Sequence, residues 1–141
     1  MGNKTNWLAL LVSVVVSMGI GFLWYGALFQ EKWMVANGFT MDGDKMFKNG
    51  TEIPMSSTPM IINTVAMAVY ALIMNWLIGK TGAKSWMDGA MTGGAVGLMA
   101  AIGTHVSNLF ALNPSDLSMI DGSYSFVLFT VMGAIIGGWR K

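Results

Sequence analysis

The sequence predicts an all-α integral membrane protein: a four-helix bundle of up-down topology, with a long polar loop between helices 1 and 2. Three observations carry that expectation. Hydrophobic residues make up 54% of the 141 and charged ones only 11%, with a mean hydropathy of +0.57, a balance unlike that of a soluble domain. Four apolar stretches, about 7–29, 59–78, 87–112 and 122–139, approach the roughly 20 residues that span about 30 Å of hydrocarbon. Between the first two, over 30–58, the composition turns polar and holds all but three of the acidic residues. Residues 1–141 are expected to form a single transmembrane domain.

The first stretch runs from Trp7 to Phe29 and closes on Trp24, Tyr25 and Phe29. It is longer than a signal-peptide core, and the aromatic cluster stands where small residues should precede a cleavage site, so it is expected to be a retained helix. Ser13, Ser17 and Gly21 recur every four residues and share a face, which lets a neighbouring helix approach closely. The 30–58 loop is punctuated by Asn37-Gly38, Asp42-Gly43, Asn49-Gly50 and Pro54. At this length it should be functional or partly structured, with an amphipathic piece near Glu31–Val35 on the membrane surface.

Helix two should start at Pro59, because a first-turn residue has no intrahelical partner for an N–H. Its polar positions are Asn63, Thr64, Tyr70 and Asn75, and a short basic turn, GKTGAKSW, follows it. Helix three carries a ladder of small residues, Gly89, Gly93 and Gly97, and ends near His105 and Asn108. The run Asn113-Pro114-Ser115-Asp116 is expected to break the chain, with helix four beginning at about Gly122 and carrying Gly133 and Gly137. These glycines, with Ser13, Ser17 and Gly21, are the expected helix-packing positions, within one subunit or between subunits. Trp7, Trp24, Trp86 and Trp139 are the expected interface anchors, since indole favours the headgroup level.

With four spans, Lys4, Lys80, Lys84, Arg140 and Lys141 fall on one side, and Lys32, Lys45 and Lys48 on the other. The positive-inside rule then puts both termini in the cytoplasm.

Two stretches carry a family resemblance: GFLWYGALF at 21–29, with Trp33-Met34 after it, and IDGSYSFVLFTVMGAIIGGWR at 120–140. With THVSNLF at 104–110 between them, they resemble the domain-of-unknown-function 1761 family, small four-span bacterial membrane proteins. The resemblance leaves the 35–58 loop unmatched, and the turn before helix four lacks a basic residue associated with that position. It implies a bacterial inner (cell) membrane location and supports the fold. It implies no biochemical role.

Threading the helices alternately brings Tyr25, Asn63, His105, Asn108, Asp121 and Tyr124 to one depth, the outer leaflet. These six are the expected polar pocket. His105 could be a neutral imidazole fixing helix packing through Asp121 or Asn108. Alternatively, His105 and Asp121 could bind a solute or relay a proton in a hydrated pathway. Catalysis is not expected. Cysteine is absent, and Ser107, two residues from the only histidine, faces elsewhere on the same helix. No metal-ligand spacing is present, the 14 methionines spread through every helix as adaptable apolar filler, and no cofactor is expected. A net charge of +1 gives no basic face for nucleic acid. The expected function is a non-enzymatic, self-associating protein of the bilayer whose outer pocket passes a small solute or ion. The alternative is an accessory subunit of a larger membrane complex. Its partners would be the lipid bilayer, further copies of itself or other membrane chains.

Overall fold

The computed structural model describes residues 5–140; Lys4 and Lys141, two of the basic residues in the orientation count, lie outside them. The chain is mostly helical. Helix α1 (Trp7–Phe22) runs into a π-helical segment (Leu23–Leu28), and a short α2 (Gln30–Ala36) follows. Three strands come next, β1 (Phe39–Asp42), β2 (Lys45–Lys48) and β3 (Thr51–Ile53), then α3 (Thr58–Thr81), α4 (Trp86–Phe110) and α5 (Ser115–Gly138).

The helix ends follow from local chemistry. Asn6 Oδ1 accepts from the Ala9 N–H at 3.1 Å, and Ser85 Oγ from the Asp88 N–H at 3.1 Å, each satisfying a donor that the first turn leaves unpaired. Pro59 sits in the first turn of α3, and Gly82 ends that helix in the left-handed region at φ 73°. The expected start of helix four near Gly122 needs correction, because α5 begins at Ser115. Pro114 precedes it in extended conformation and starts the helix where it was expected to break the chain, and Leu117 and Ile120 carry the buried face back to that start. Asp121 therefore stands well inside a helix. The preceding connection covers only 111–114.

The expectation of an all-α chain with a polar loop over 30–58 also needs correction. That segment holds α2 and an antiparallel sheet of order β1-β2-β3. Asp42 pairs with Lys45 across Gly43-Asp44, and Lys48 with Thr51 across Asn49-Gly50, so both hairpins turn on two residues. Asn49 and Gly50 both take positive φ, 51° and 84°, as the hairpin turn that matches strand twist requires. Asn-Gly is the residue pair best suited to it.

Among the described residues, three helical runs are long and apolar enough to cross a membrane: Trp7–Leu28, Thr58–Thr81 and Ser115–Gly138. Helix α4 is equally long but diluted by its glycines and by Asp88, His105 and Asn108. It packs almost wholly on α5, which also touches α1 and α3 and so lies centrally. Along its glycines the α4–α5 contact is backbone on backbone. A Cβ on Gly89 would fall onto the Gly133 carbonyl, one on Gly93 onto the Phe129 carbonyl, and one on Gly97 would lie 2.8 Å from the Phe126 Cα. Gly133 and Gly137 return the contact against Gly89, Gly93 and Ser85. The glycine ladders are thus matched to each other inside one chain.

On the other side of α5, Leu10, Ala71, Met74, Ile78, Met132 and Ile136 form a buried apolar cluster joining α1, α3 and α5. Ser13 and Ser17 are fully buried on α1, and Ser13 Oγ donates back to the Ala9 carbonyl at 2.8 Å, so each hydroxyl position presents little bulk to its neighbour. Arg140 Nη2 donates to the Asn75 carbonyl at 3.3 Å, tying the end of α5 to that of α3 near Lys80. The sheet and α2 lie at the opposite end.

A candidate binding cleft at the sheet end

The π-helical segment shapes the site. Its wider turn is marked by the Phe29 N–H donating to the Trp24 carbonyl, five residues back, at 2.9 Å. This turn directs two successive aromatics at α5. Trp24 Nε1 donates to Ser123 Oγ at 3.1 Å, and Tyr25 Oη donates to Asp121 Oδ1 at 2.6 Å. The second bond has the length of a hydroxyl donating to a carboxylate, a charge-assisted contact stronger than a neutral one. Tyr25 also stands edge-on to Tyr124, with ring centroids 5.0 Å apart, and to Trp33 of α2 at 5.6 Å. Such edge-to-face pairs contribute about 0.5–1.5 kcal/mol beyond their area burial.

These groups bound a cleft of about 650 Å³ between the ends of α1, α3 and α5, roofed by α2. Its lining is Met18, Gly21, Phe22, Tyr25, Gly26, Trp33, Pro59, Met60, Asn63, Asp121 and Tyr124. Gly21 keeps the α1 wall low, since a Cβ there would already touch Tyr124 Oη at 3.5 Å. On the α3 wall, Asn63 Nδ2 lies 3.6 Å from Met18 Sδ, a weak acceptor that leaves the amide available. The roof continues into the sheet, because Trp33 stacks on Phe39 of β1 at 5.5 Å and Lys48 Nζ lies 5.1 Å over the Phe39 ring.

Of the six residues expected to share a polar pocket, the cleft gathers Tyr25, Asn63, Asp121 and Tyr124. His105 and Asn108 are placed elsewhere, and the expected convergence is corrected there: both belong to α4, on the other side of α5. A four-residue step advances about 40° around a helix, so a ladder from Gly89 through Gly93, Gly97 and Ala101 has rotated by about 160° at His105. His105 is exposed and makes no hydrogen bond among the described residues, to Asp121 or otherwise. Asn108 stays within about 20° of Gly97 on the same wheel and is buried, its Oδ1 accepting from Asn113 Nδ2 at 2.9 Å. Trp7, Trp86 and Trp139 are exposed at the end away from the cleft, and Trp24 is half-buried at the cleft end.

Sequence reasoning missed Met18, Gly21, Phe22, Gly26, Trp33, Pro59 and Met60 as lining residues. Trp33 was within reach, being the large aromatic of the amphipathic 31–35 piece. The other six carry no signal that separates a cleft wall from a packing or lipid-facing position.

The family model described as "Protein of unknown function (DUF1761)" matches residues 8–137. The chain belongs to that family. The match spans every element from α1 to α5, the sheet included. No curated protein matches the chain, and no solved structure does.

Proposed function

We propose that this DUF1761 member is a non-enzymatic, multi-pass membrane protein that receives a small molecule in the Tyr25–Asp121 cleft. In this reading α4 spans with α1, α3 and α5, both termini face the cytoplasm, and the cleft opens in the outer leaflet of a bacterial inner membrane. The pairing of Lys80, Lys84 and Arg140 with the end away from the sheet supports the orientation. The observation that carries the function is the cleft itself. It falls within the roughly 300–1,000 Å³ of small-molecule sites, and mostly apolar walls surround a few fixed polar groups, as in such sites. A carboxylate inside a spanning helix is a functional candidate by default, and Asp121 is the carboxylate in the lining.

Binding is favoured over open passage because the packed cluster of Leu10, Met74, Ile78, Met132 and Ile136 fills the space between α1, α3 and α5 beyond the cleft. Movement of a solute through the chain would require those side chains to part. The alternative, an accessory subunit of a larger complex, draws on the exposed outer face of α4, with Met91, Leu98, Met99 and Ile102. That face suits lipid, a second copy or another chain equally. Mild solubilisation and native mass measurement test the choice. The binding reading expects the chain alone or in copies of itself, with retained small-molecule mass. Stoichiometric foreign chains would favour the accessory subunit.

A further inference from the structure

The lining of the cleft narrows its occupant to one chemical class. Its polar content is a carboxylate (Asp121), an amide (Asn63), two phenols and an indole, and among the described residues it contains no lysine, arginine or histidine. A guest carrying negative charge would meet Asp121 with no cation in the lining to offset it. A guest carrying positive charge would find the reverse. A carboxylate offers about four acceptor sites, so the Tyr25 hydrogen bond holds Asp121 in place while leaving capacity for a second donor.

The rings around that carboxylate add a second, independent preference. Tyr25, Trp33 and Tyr124 meet there at steep angles, 70° and 67° between planes, with centroids 5.6 and 5.0 Å apart. Rings set so form a corner, and a cation within about 6 Å of an aromatic face is attracted by the ring quadrupole. The protein uses this interaction next door, where Lys48 Nζ sits over Phe39, itself stacked on Trp33. Beyond the corner the walls are Met18, Phe22 and Met60, suited to a hydrocarbon body.

We propose that the cleft binds a monovalent organic ammonium group attached to an apolar body, with the cation between Asp121 and the Tyr25–Trp33–Tyr124 corner. The proposal rests on the cleft being the functional site, as argued above. Two sources share this chemistry: a free amphiphilic amine dissolved in the outer leaflet, and the ethanolamine headgroup of a phospholipid whose phosphate stays outside the cleft at the aqueous interface.

The test uses the purified full chain in nanodiscs of phosphatidylglycerol, with radiolabelled dodecylammonium as the probe and empty nanodiscs as background. The expected result is saturable binding at one site per chain that dodecanol does not displace. Asp121→Asn and, separately, Trp33→Leu should each weaken it about tenfold or more, the scale of a desolvated cation contact. Trp33 lies on α2, outside the helix core, so its variant remains informative if Asp121→Asn fails to fold. Replacing part of the phosphatidylglycerol with phosphatidylethanolamine separates the sources. Competition identifies the headgroup, no competition identifies a free amine, and both support the ammonium class. Absence of saturable binding above background, or binding unchanged in both variants, overturns the proposal. If the unaltered chain binds no probe while Met60→Cys reacts with a thiol reagent from the aqueous phase, the ammonium class is overturned and the open cleft stands.

Discussion

Substituting alanine for Gly93 should separate α4 from α5. A Cβ there overlaps the Phe129 carbonyl oxygen and lies 2.8 Å from its carbon, where carbon atoms prefer about 3.5–4.0 Å. Relief needs a shift of roughly 1 Å between backbones, and a gap of that size forfeits about a quarter to a half of each dispersion contact along the line. Gly89, Gly97, Gly133 and Gly137 lie on the same line, so the loss is shared by the whole interface. Overpacking of this kind costs about 1–3 kcal/mol. The control is Gly103→Ala on the same helix, where a Cβ would meet nothing within 4 Å. There alanine should be neutral or stabilising by up to about 1 kcal/mol, as the better helix former. Reversible unfolding in mixed dodecyl maltoside and dodecyl sulfate micelles, followed by circular dichroism, measures both. Equal stability of the two variants would refute the backbone contact.

Three further outcomes are expected. A double-mutant cycle on Tyr25→Phe and Asp121→Asn should return a coupling between about 0.6 kcal/mol, the average for interhelical hydrogen bonds in lipid, and about 1.7 kcal/mol, the largest, and zero coupling would mean that the 2.6 Å bond does not form. Gly50→Ala places a side chain at φ 84° and should cost about 1–2 kcal/mol, seen as faster proteolysis within 43–53 with helicity retained; an unchanged cleavage rate would argue against the hairpin. His105→Ala should alter stability by no more than about 0.5 kcal/mol, since His105 is exposed without a hydrogen bond, and a larger loss would show a contact that this packing lacks.

The helices were legible because apolar length is a strong signal: Trp7, Pro59 and Gly133-Gly137 mark ends and packing faces in plain view. The partner of each glycine ladder was not legible. Spacing fixes a face of one helix, and only the matched register of Gly89 with Gly133 says which face it meets. The sheet was hidden by the brevity of its strands, three or four residues each, although Asn49-Gly50 was the signal that could have revealed it. The start of α5 was misplaced by treating Pro114 as a stop. The misplacement of His105 has a single cause, anchoring the buried face on the residue of greatest chemical interest. The buried arc is centred on the glycines, and His105 is where the spiral leaves it. Tyr25 and Asp121 met as expected, but the π-helical turn that aims Tyr25 has no sequence signal of its own.

Cysteine labelling in intact cells tests the central claim most directly, because the chain contains no native cysteine. Three single variants suffice: Met60→Cys in the cleft wall, Met74→Cys in the packed cluster beyond it, and Lys84→Cys in the turn at the other end. A membrane-impermeant maleimide added outside should modify Met60→Cys, spare Met74→Cys, and reach Lys84→Cys only after permeabilisation. Labelling of Lys84→Cys in intact cells with Met60→Cys protected would contradict an outward-facing cleft.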